Sequence, residues 1–282
     1  MMNGSPVWLI TGCSSGFGRE LAKAVLARGW RVVLTARDVN RVQDLLSGHE
    51  AHALALKLDV TDSGQIAAAV AAAQARFETI DVLVNNAGYG YLAAVEEGDR
   101  AQIRELFATN LFGSIEMIRA VLPVMRDQGR GHIVNISSRG GLIGSAGLGY
   151  YNATKFALEG LSEALADECR GLGIRVTIVE PGPLRTDFSG RSIKQAPVPI
   201  GAYAFTAGER HARLLENSGR QAGDPTRAAQ AVIAATLTDI PPLRLLLGAA
   251  ALISARNKLD AMHANFNEWQ DITLSSDFPD RK

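Results

Sequence analysis

Val7-Trp8-Leu9-Ile10-Thr11-Gly12-Cys13-Ser14-Ser15-Gly16-Phe17-Gly18 is the stretch on which the reading of this chain turns. Residues 7–10 are apolar without alternation, which suits a strand covered on both faces. A glycine-rich turn follows, and then an amphipathic helical stretch over 18–28. Glycines let a backbone turn tightly and approach a bound group closely. The helix start beyond them offers free N–H groups and the positive end of its dipole. Strand, turn and helix in that order make a cradle for a pyrophosphate. The spacing is G-x-x-x-G-x-G rather than G-x-G-x-x-G, so a plain strand-to-helix corner is the alternative on this motif alone. Gly12, Ser14, Ser15, Gly16, Phe17 and Gly18 are the candidate cofactor-binding residues here.

The same alternation repeats along the chain. After the strand at 7–11, apolar runs at 31–36, 53–58, 82–85, 132–137, 175–180 and 243–247 read as strands. Helical patterns fall at 41–46, 65–77, 100–125, 151–172 and 225–237. Within 151–172, Leu158, Leu161 and Leu165 recur at helical spacing, and Glu159, Glu163 and Asp167 take the other side. Right-handed crossovers wind such units into one α/β domain over 1–282, a Rossmann-type doubly wound parallel sheet of about seven strands with helices on both faces. Residues 187–223 break the rhythm as a long, mixed, strandless stretch, the mark of a substrate lid or of partial disorder. Residues 249–282 form a C-terminal extension of one or two helices.

Composition narrows the function. Lys plus Arg is 29 and Asp plus Glu is 29, and the zero net charge argues against nucleic acid or an anionic membrane as the main partner. Cys13 and Cys169 lie far apart, and the five histidines show no metal-ligand spacing, so no metal is expected. Two thiols without a disulfide framework fit a reducing compartment. Residues 1–6 carry no basic segment, the run at 7–10 is too short for a signal peptide, and Arg244 and Gly248 interrupt 243–253. The expectation is a soluble, cytoplasmic protein.

Two further features bear on chemistry. The second strand ends at Ala36, and Arg37 stands where an NAD-preferring site would carry an acid. An arginine can fork onto a 2′-phosphate and stack on adenine, which favours NADP(H) over NAD(H). A solvated loop cation beside Asp38 is the plainer reading. Tyr151 and Lys155 are four apart in a helical segment, so both project from one face. A phenol, with a pKa of about 10, works as an acid–base catalyst near neutrality when a cation stabilises its phenolate. The same spacing also arises by chance on many helices.

Taken in order, the 11–18 loop, Asn85-Asn86-Ala87-Gly88, Asn110, Ser138, Tyr151-x-x-x-Lys155 and Pro181-Gly182-x-x-x-Thr186 resemble the short-chain dehydrogenase/reductase family in its compact single-domain branch. The resemblance covers 7–186 and continues more loosely to 247. It implies an oxidoreductase that moves a hydride between a nicotinamide cofactor and a secondary alcohol or its ketone, or an aldehyde. It implies Tyr151 as the acid/base, with Lys155 lowering its pKa and holding the ribose. Ser138, in preference to Ser137, would bond the substrate oxygen, and Asn110 would hold a relay water. Read alone, Asn110 is equally a polar helix residue satisfied by backbone.

Asp59-Val60 resembles the family's adenine-binding pair, and Asp59 also suits a cap for the next helix. Asn86, Ala87 and Gly88 would pass the cofactor's ribose. Pro181, Gly182 and the Leu184 backbone would line the nicotinamide, with Thr186 on its carboxamide or phosphate. Arg19 reads as a solvated helix cation. Leu142, Leu148, Tyr150, Phe188, Tyr203 and Phe205 suit an apolar or aromatic small-molecule alcohol or carbonyl substrate. Trp8-Leu9-Ile10 and 243–247 are similar to a subgroup with retinol- and steroid-dehydrogenase-like relatives.

The alternatives are an NAD-preferring hydroxysteroid-like dehydrogenase, a nucleotide-sugar epimerase or dehydratase, and a non-catalytic NADP-sensing regulator. The helices at 100–125 and 151–172 resemble the family's interface, which implies a homodimer or homotetramer.

Overall fold

The computed structural model describes residues 5–189 and 192–278. Expectations that reach 1–4, 190–191 and 279–282 (the chain ends, part of the lid and the tip of the extension) lie outside the described residues. In chain order the elements are β1 (Val7–Ile10), α1 (Gly16–Leu26), β2 (Arg31–Ala36), β3 (Ala53–Lys57), α2 (Ser63–Phe77), β4 (Val82–Asn85), β5 (Gly90–Leu92), α3 (Arg100–Phe107) and α4 (Gly113–Asp127). They continue with β6 (Gly131–Ile136), α5 (Gly149–Glu168), β7 (Ile174–Pro181), β8 (Ile193–Gln195), α6 (Glu209–Glu216), α7 (Pro225–Thr236), β9 (Arg244–Leu247), α8 (Ala249–Glu268) and α9 (Gln270–Leu274).

Seven strands form one sheet in the order β3-β2-β1-β4-β6-β7-β9, every pair parallel. The chain winds outward from β1 to one edge and then restarts at β4 toward the other. Crossovers therefore leave β1 and β4 in opposite directions, and a crevice opens at the carboxyl ends of these strands. Period-2 geometry sends Trp8 and Ile10 to one face and Val7 and Leu9 to the other. Leu21, Val25 and Val232 from α1 and α7 cover the first face. Phe77, Met117 and Leu165 from α2, α4 and α5 cover the second.

The sequence pattern and the elements differ in three instructive places. The helix expected over 100–125 is divided by a π turn, Ala108–Phe112, with Asn110 inside it. The Asn110 side chain accepts from the Tyr89 amide at 3.0 Å and donates to the Tyr89 carbonyl at 2.9 Å. A π turn adds a residue to the helical ladder, and here it brings Asn110 onto the loop after β4. The stretch expected to be strandless contains β8, which pairs with β5 in a parallel two-stranded sheet, and also α6. Three-residue strands are too short to show a period, and tertiary pairing makes them. Asp59 does not cap α2: Asp62 does, accepting from the Gln65 amide at 3.0 Å.

His132 on β6 is buried, and its Nε2 lies 2.9 Å from Thr177 Oγ1. The Thr177 hydroxyl donates to the Pro242 carbonyl at 2.8 Å, so the histidine is the donor in the shared bond. Burial first, and then the Arg175 charge, lower the His132 pKa from 6.5 to about 4. With the folded value below the unfolded one, the unfolded chain takes up the proton first. Stability is lost as pH falls from 6.5 toward 4. The expected loss between pH 7 and pH 4 is on the order of 2–3 kcal/mol from this group, read by denaturant unfolding. His132→Gln keeps a donor that cannot charge, and should remove most of that slope.

Candidate active site

A cavity of about 760 Å³ runs along the carboxyl ends of the sheet, from Arg37 and Asp59 beyond β2 and β3 to Ser138, Pro181 and Gly182 beyond β6 and β7. Its wall includes Gly12, Ser14, Ser15, Gly16, Phe17, Val60, Asn86, Ala87, Gly88, Tyr151, Lys155, Leu184 and Thr186. Gly18 and Asn110 stand behind that wall; of the catalytic and cofactor residues singled out from sequence, these two do not line it. Of the six apolar and aromatic residues expected to face a substrate, Leu148 and Phe188 line the cavity, and Leu142, Tyr150, Tyr203 and Phe205 do not.

The loop between β1 and α1 leaves the first amides of a helix facing the cavity, an arrangement that can receive an anion. Gly12 and Gly16 have φ of +73° and +61°, where an L side chain is strained, and a Cβ on Gly12 would come within 3.0 Å of Ala87 Cα. Ser15 caps α1 without a side-chain bond, and no acid lies in the first turn. The helix amides and dipole are thus left to a ligand. The loop is fastened by Thr11, whose Oγ1 accepts from the Asn86 and Ala87 amides at 2.9 Å each. Asn86 answers by donating to the Thr11 carbonyl at 2.9 Å and the Gly12 carbonyl at 3.2 Å. Cys13 is fully buried beneath the loop, its thiol on the Ile10 carbonyl at 3.2 Å, and burial pushes its pKa up to about 12.

At the far end, Arg37 is exposed at the cavity edge. Asp38 beside it turns to its own backbone, accepting from the Asn40 amide at 3.1 Å, and does not line the cavity. Asp59 accepts from the Thr61 amide at 3.0 Å and hydroxyl at 2.8 Å. Arg19 is more than a solvated cation: it ion-pairs with Asp44 and donates to the Arg41 carbonyl at 2.9 Å, tying α1 to the turn after β2.

Tyr151 and Lys155 both emerge from the first turns of α5 and are both buried, at 7% and 6% exposure. The Tyr151 ring sits 5.7 Å from the Phe188 ring, and Lys155 Nζ lies 5.9 Å from the Tyr151 ring centre. Burial raises Tyr151 to about 12, opposed by a hydrogen bond with Ser138. The phenol is therefore protonated at neutral pH, as a proton donor must be. Lys155 donates to the Ile136 carbonyl at 2.8 Å. Its pKa falls from 10.5 to about 8 through burial, opposed by the charge of Glu159. Ser138 faces Tyr151, whereas Ser137 donates to Glu159 on the other side of the turn. Asn152 holds this turn in place, donating to the Gly140 carbonyl at 2.8 Å.

Behind the pair lies a charged cluster that the helical pattern assigned to the opposite face. Glu159 is buried, and with Glu180 it shares Nη1 of Arg244. Nη2 of Arg244 reaches Glu163 at 2.5 Å. Burial first, and then the neighbouring Glu159, raise Glu180 to about 7. The signal for this cluster was present in the spacing, because Glu159 follows Lys155 by four residues and shares its face. Its partner Arg244 sits on the last strand, which no local pattern connects to α5.

Comparisons with known proteins identify the family. A short chain dehydrogenase family model matches residues 6–197. The oxidoreductase BOA17 of Botryotinia fuckeliana is 38% identical over 272 residues, covering 96% of this chain and 98% of that protein. A short-chain dehydrogenase from Streptomyces avermitilis superposes with a TM-score of 0.92 at 42% identity, covering 98% of this chain and all of its own. A short-chain dehydrogenase/reductase from Burkholderia phymatum, solved in complex with NAD, gives 0.83 at 25% identity, covering 94% of this chain and 97% of its own. The chain belongs to the short-chain dehydrogenase/reductase family, and it is an oxidoreductase. Among the described residues no helix is long and apolar enough to cross a membrane.

A buried lysine costs stability while it is charged. The folded chain sheds the Lys155 proton near pH 8 and the unfolded chain keeps it to about 10.5. The wild-type protein therefore gains stability from this group as pH rises between those values, and carries the full cost below 8. Lys155→Met is expected to melt higher than wild type at pH 7, with the gap narrowing by pH 10. A gap that stays constant across this range would assign the effect to packing.

Proposed function

We propose that the protein is an NADP(H)-dependent oxidoreductase that interconverts a secondary alcohol and a ketone, or an aldehyde, with Tyr151 as the acid/base. The observation that supports this most is the meeting of the Tyr151 and Ser138 hydroxyls on the same cavity wall that carries the glycine loop. When bound, the nicotinamide supplies or accepts a hydride. Ser138 donates a hydrogen bond to the substrate oxygen, and Tyr151 delivers its proton as negative charge develops there. Lys155 places a cation behind the phenol, which stabilises the phenolate left after transfer. Asn110 keeps the π turn and the loop after β4 together behind Lys155.

For the cofactor, the amides of 12–18 would hold the pyrophosphate and Asp59 with Val60 would take the adenine, since all of these residues but Cys13 and Gly18 line one cavity. Asn86, Ala87 and Gly88 would hold the ribose, and Pro181, Gly182, Leu184 and Thr186 would hold the nicotinamide. The preference for NADP(H) over NAD(H) rests on Arg37, which lies at the cavity edge without an ion pair among the described residues, while Asp38 is occupied with its own backbone. A homodimer or homotetramer formed through α4 and α5 belongs to the same reading. Phe112, beside α4, and Phe156, on α5, are 55% and 45% exposed.

Tyr151→Phe should lower kcat by about 10³-fold or more in an NADPH-coupled carbonyl assay, with NADPH affinity unchanged. Retained turnover would remove Tyr151 from the mechanism. Arg37→Asp should weaken NADPH binding by about tenfold or more while leaving NADH binding within about twofold. Equal loss for both cofactors would sink the NADP(H) preference.

A further inference from the structure

Beyond Tyr151 the cavity wall carries two guanidinium groups that no carboxylate balances among the described residues. Arg139 directly follows Ser138 in the turn Arg139–Gly141, and Arg210 lies in the first turn of α6. Both are half-buried, and both line the cavity that holds Ser138 and Tyr151. They are close enough that the Arg139 charge acts on Arg210: burial first, and then Arg139 and Arg213, hold the Arg210 pKa below the usual arginine range. Among the described residues neither makes an ion pair, and the one hydrogen bond of Arg139 is a long one, 3.5 Å to Ser254 Oγ. Arg213 is different, being paired with Glu209.

The acids on the cavity wall are committed elsewhere. Asp59 serves Thr61 at the β3 end, Glu105 is paired with Lys194 at 2.7 Å, and Asp187 is not free. Two like charges held together in a partly desolvated cleft repel each other, and an anion between them converts that repulsion into attraction. A guanidinium fork matches a carboxylate or phosphate with two parallel hydrogen bonds. Leu148, Phe188 and Leu214 line the same cavity and give it apolar surface for the body of such a ligand.

We propose that Arg139 and Arg210 form an anion subsite beside Ser138, and that the substrate is an oxo or hydroxy compound with an apolar body and an anionic head. This rests on the carbonyl–alcohol reading above, and it replaces a purely apolar substrate with an amphipathic one. The two sources of such a head are a carboxylate and a phosphate ester.

The test uses oxo acids of graded chain length, their methyl esters, and matched keto phosphate esters, each with NADPH. The wild-type enzyme should show kcat/KM for one anionic series about tenfold or more above the neutral ester. Arg139→Gln and Arg210→Gln should each raise KM for the anion about tenfold, with kcat and ester turnover little changed, and Arg210→Lys should recover part of the loss. The series more affected by the variants identifies the head.

Calorimetry of the same anions with the NADPH-saturated protein reads the subsite without turnover. Binding by wild type and not by the double glutamine variant supports the subsite even where no ketone is reduced, an outcome that would overturn the activity reading alone. Equal handling of acid, phosphate and ester by wild type and variants overturns the subsite, as does absence of anion binding to the wild-type protein.

Discussion

Parallel strands leave their carboxyl ends with amides and carbonyls that no ladder pairs, and between β1 and β4 no crossover lies above to cover them. Thr11 resolves this at one position. Its hydroxyl oxygen takes two amides from the loop after β4, and Asn86 returns two bonds to the loop after β1. With both loops fixed to each other, the glycine turn holds its positive-φ geometry and α1 starts where its amides face the crevice. The shape of the cavity along the sheet edge depends on that spacing, because the two loops line it together with Ser138 and Tyr151.

The second organising constraint is buried charge. Lys155, Glu159, Glu180 and Arg244 are held on three elements, α5, β7 and β9, around one small volume. Carboxylates and cations placed so close are costly to desolvate singly and tolerable as a set. The set joins the last strand to the helix that carries Tyr151, and Glu159 also fixes Ser137, the neighbour of Ser138. The part of α5 that carries Tyr151 and Lys155 is thus held by ionic bonds on one side and by the Asn110 and Asn152 side chains on the other.

The seven strands of the main sheet were legible because each is an apolar run that tertiary burial on two faces demands. The cavity-lining residues were legible because turns at strand ends leave a sequence order that is hard to produce otherwise. What escaped was set by partners remote in sequence. Glu159 reads as the polar side of an amphipathic helix until Arg244 is placed across from it. Arg244 itself reads as an interruption in an apolar run. β5 and β8 have no period to detect, and the π turn at Asn110 depends on a backbone bond to Tyr89. Arg139 carried no signal, since only the fold of α6 brings Arg210 toward it.

Cys13 gives the glycine loop an unusual property. The chain has two thiols, and both are buried. The one beneath the loop is neutral through the physiological range and closed to solvent. A thiol in that state does not climb the oxidation ladder or react with alkylating reagents while the loop is in place. Its modification requires the loop to lift from β1, so the rate of Cys13 labelling is a clock for local opening of the glycine loop. The same burial that makes the residue chemically silent makes it a built-in reporter of how often that loop breathes.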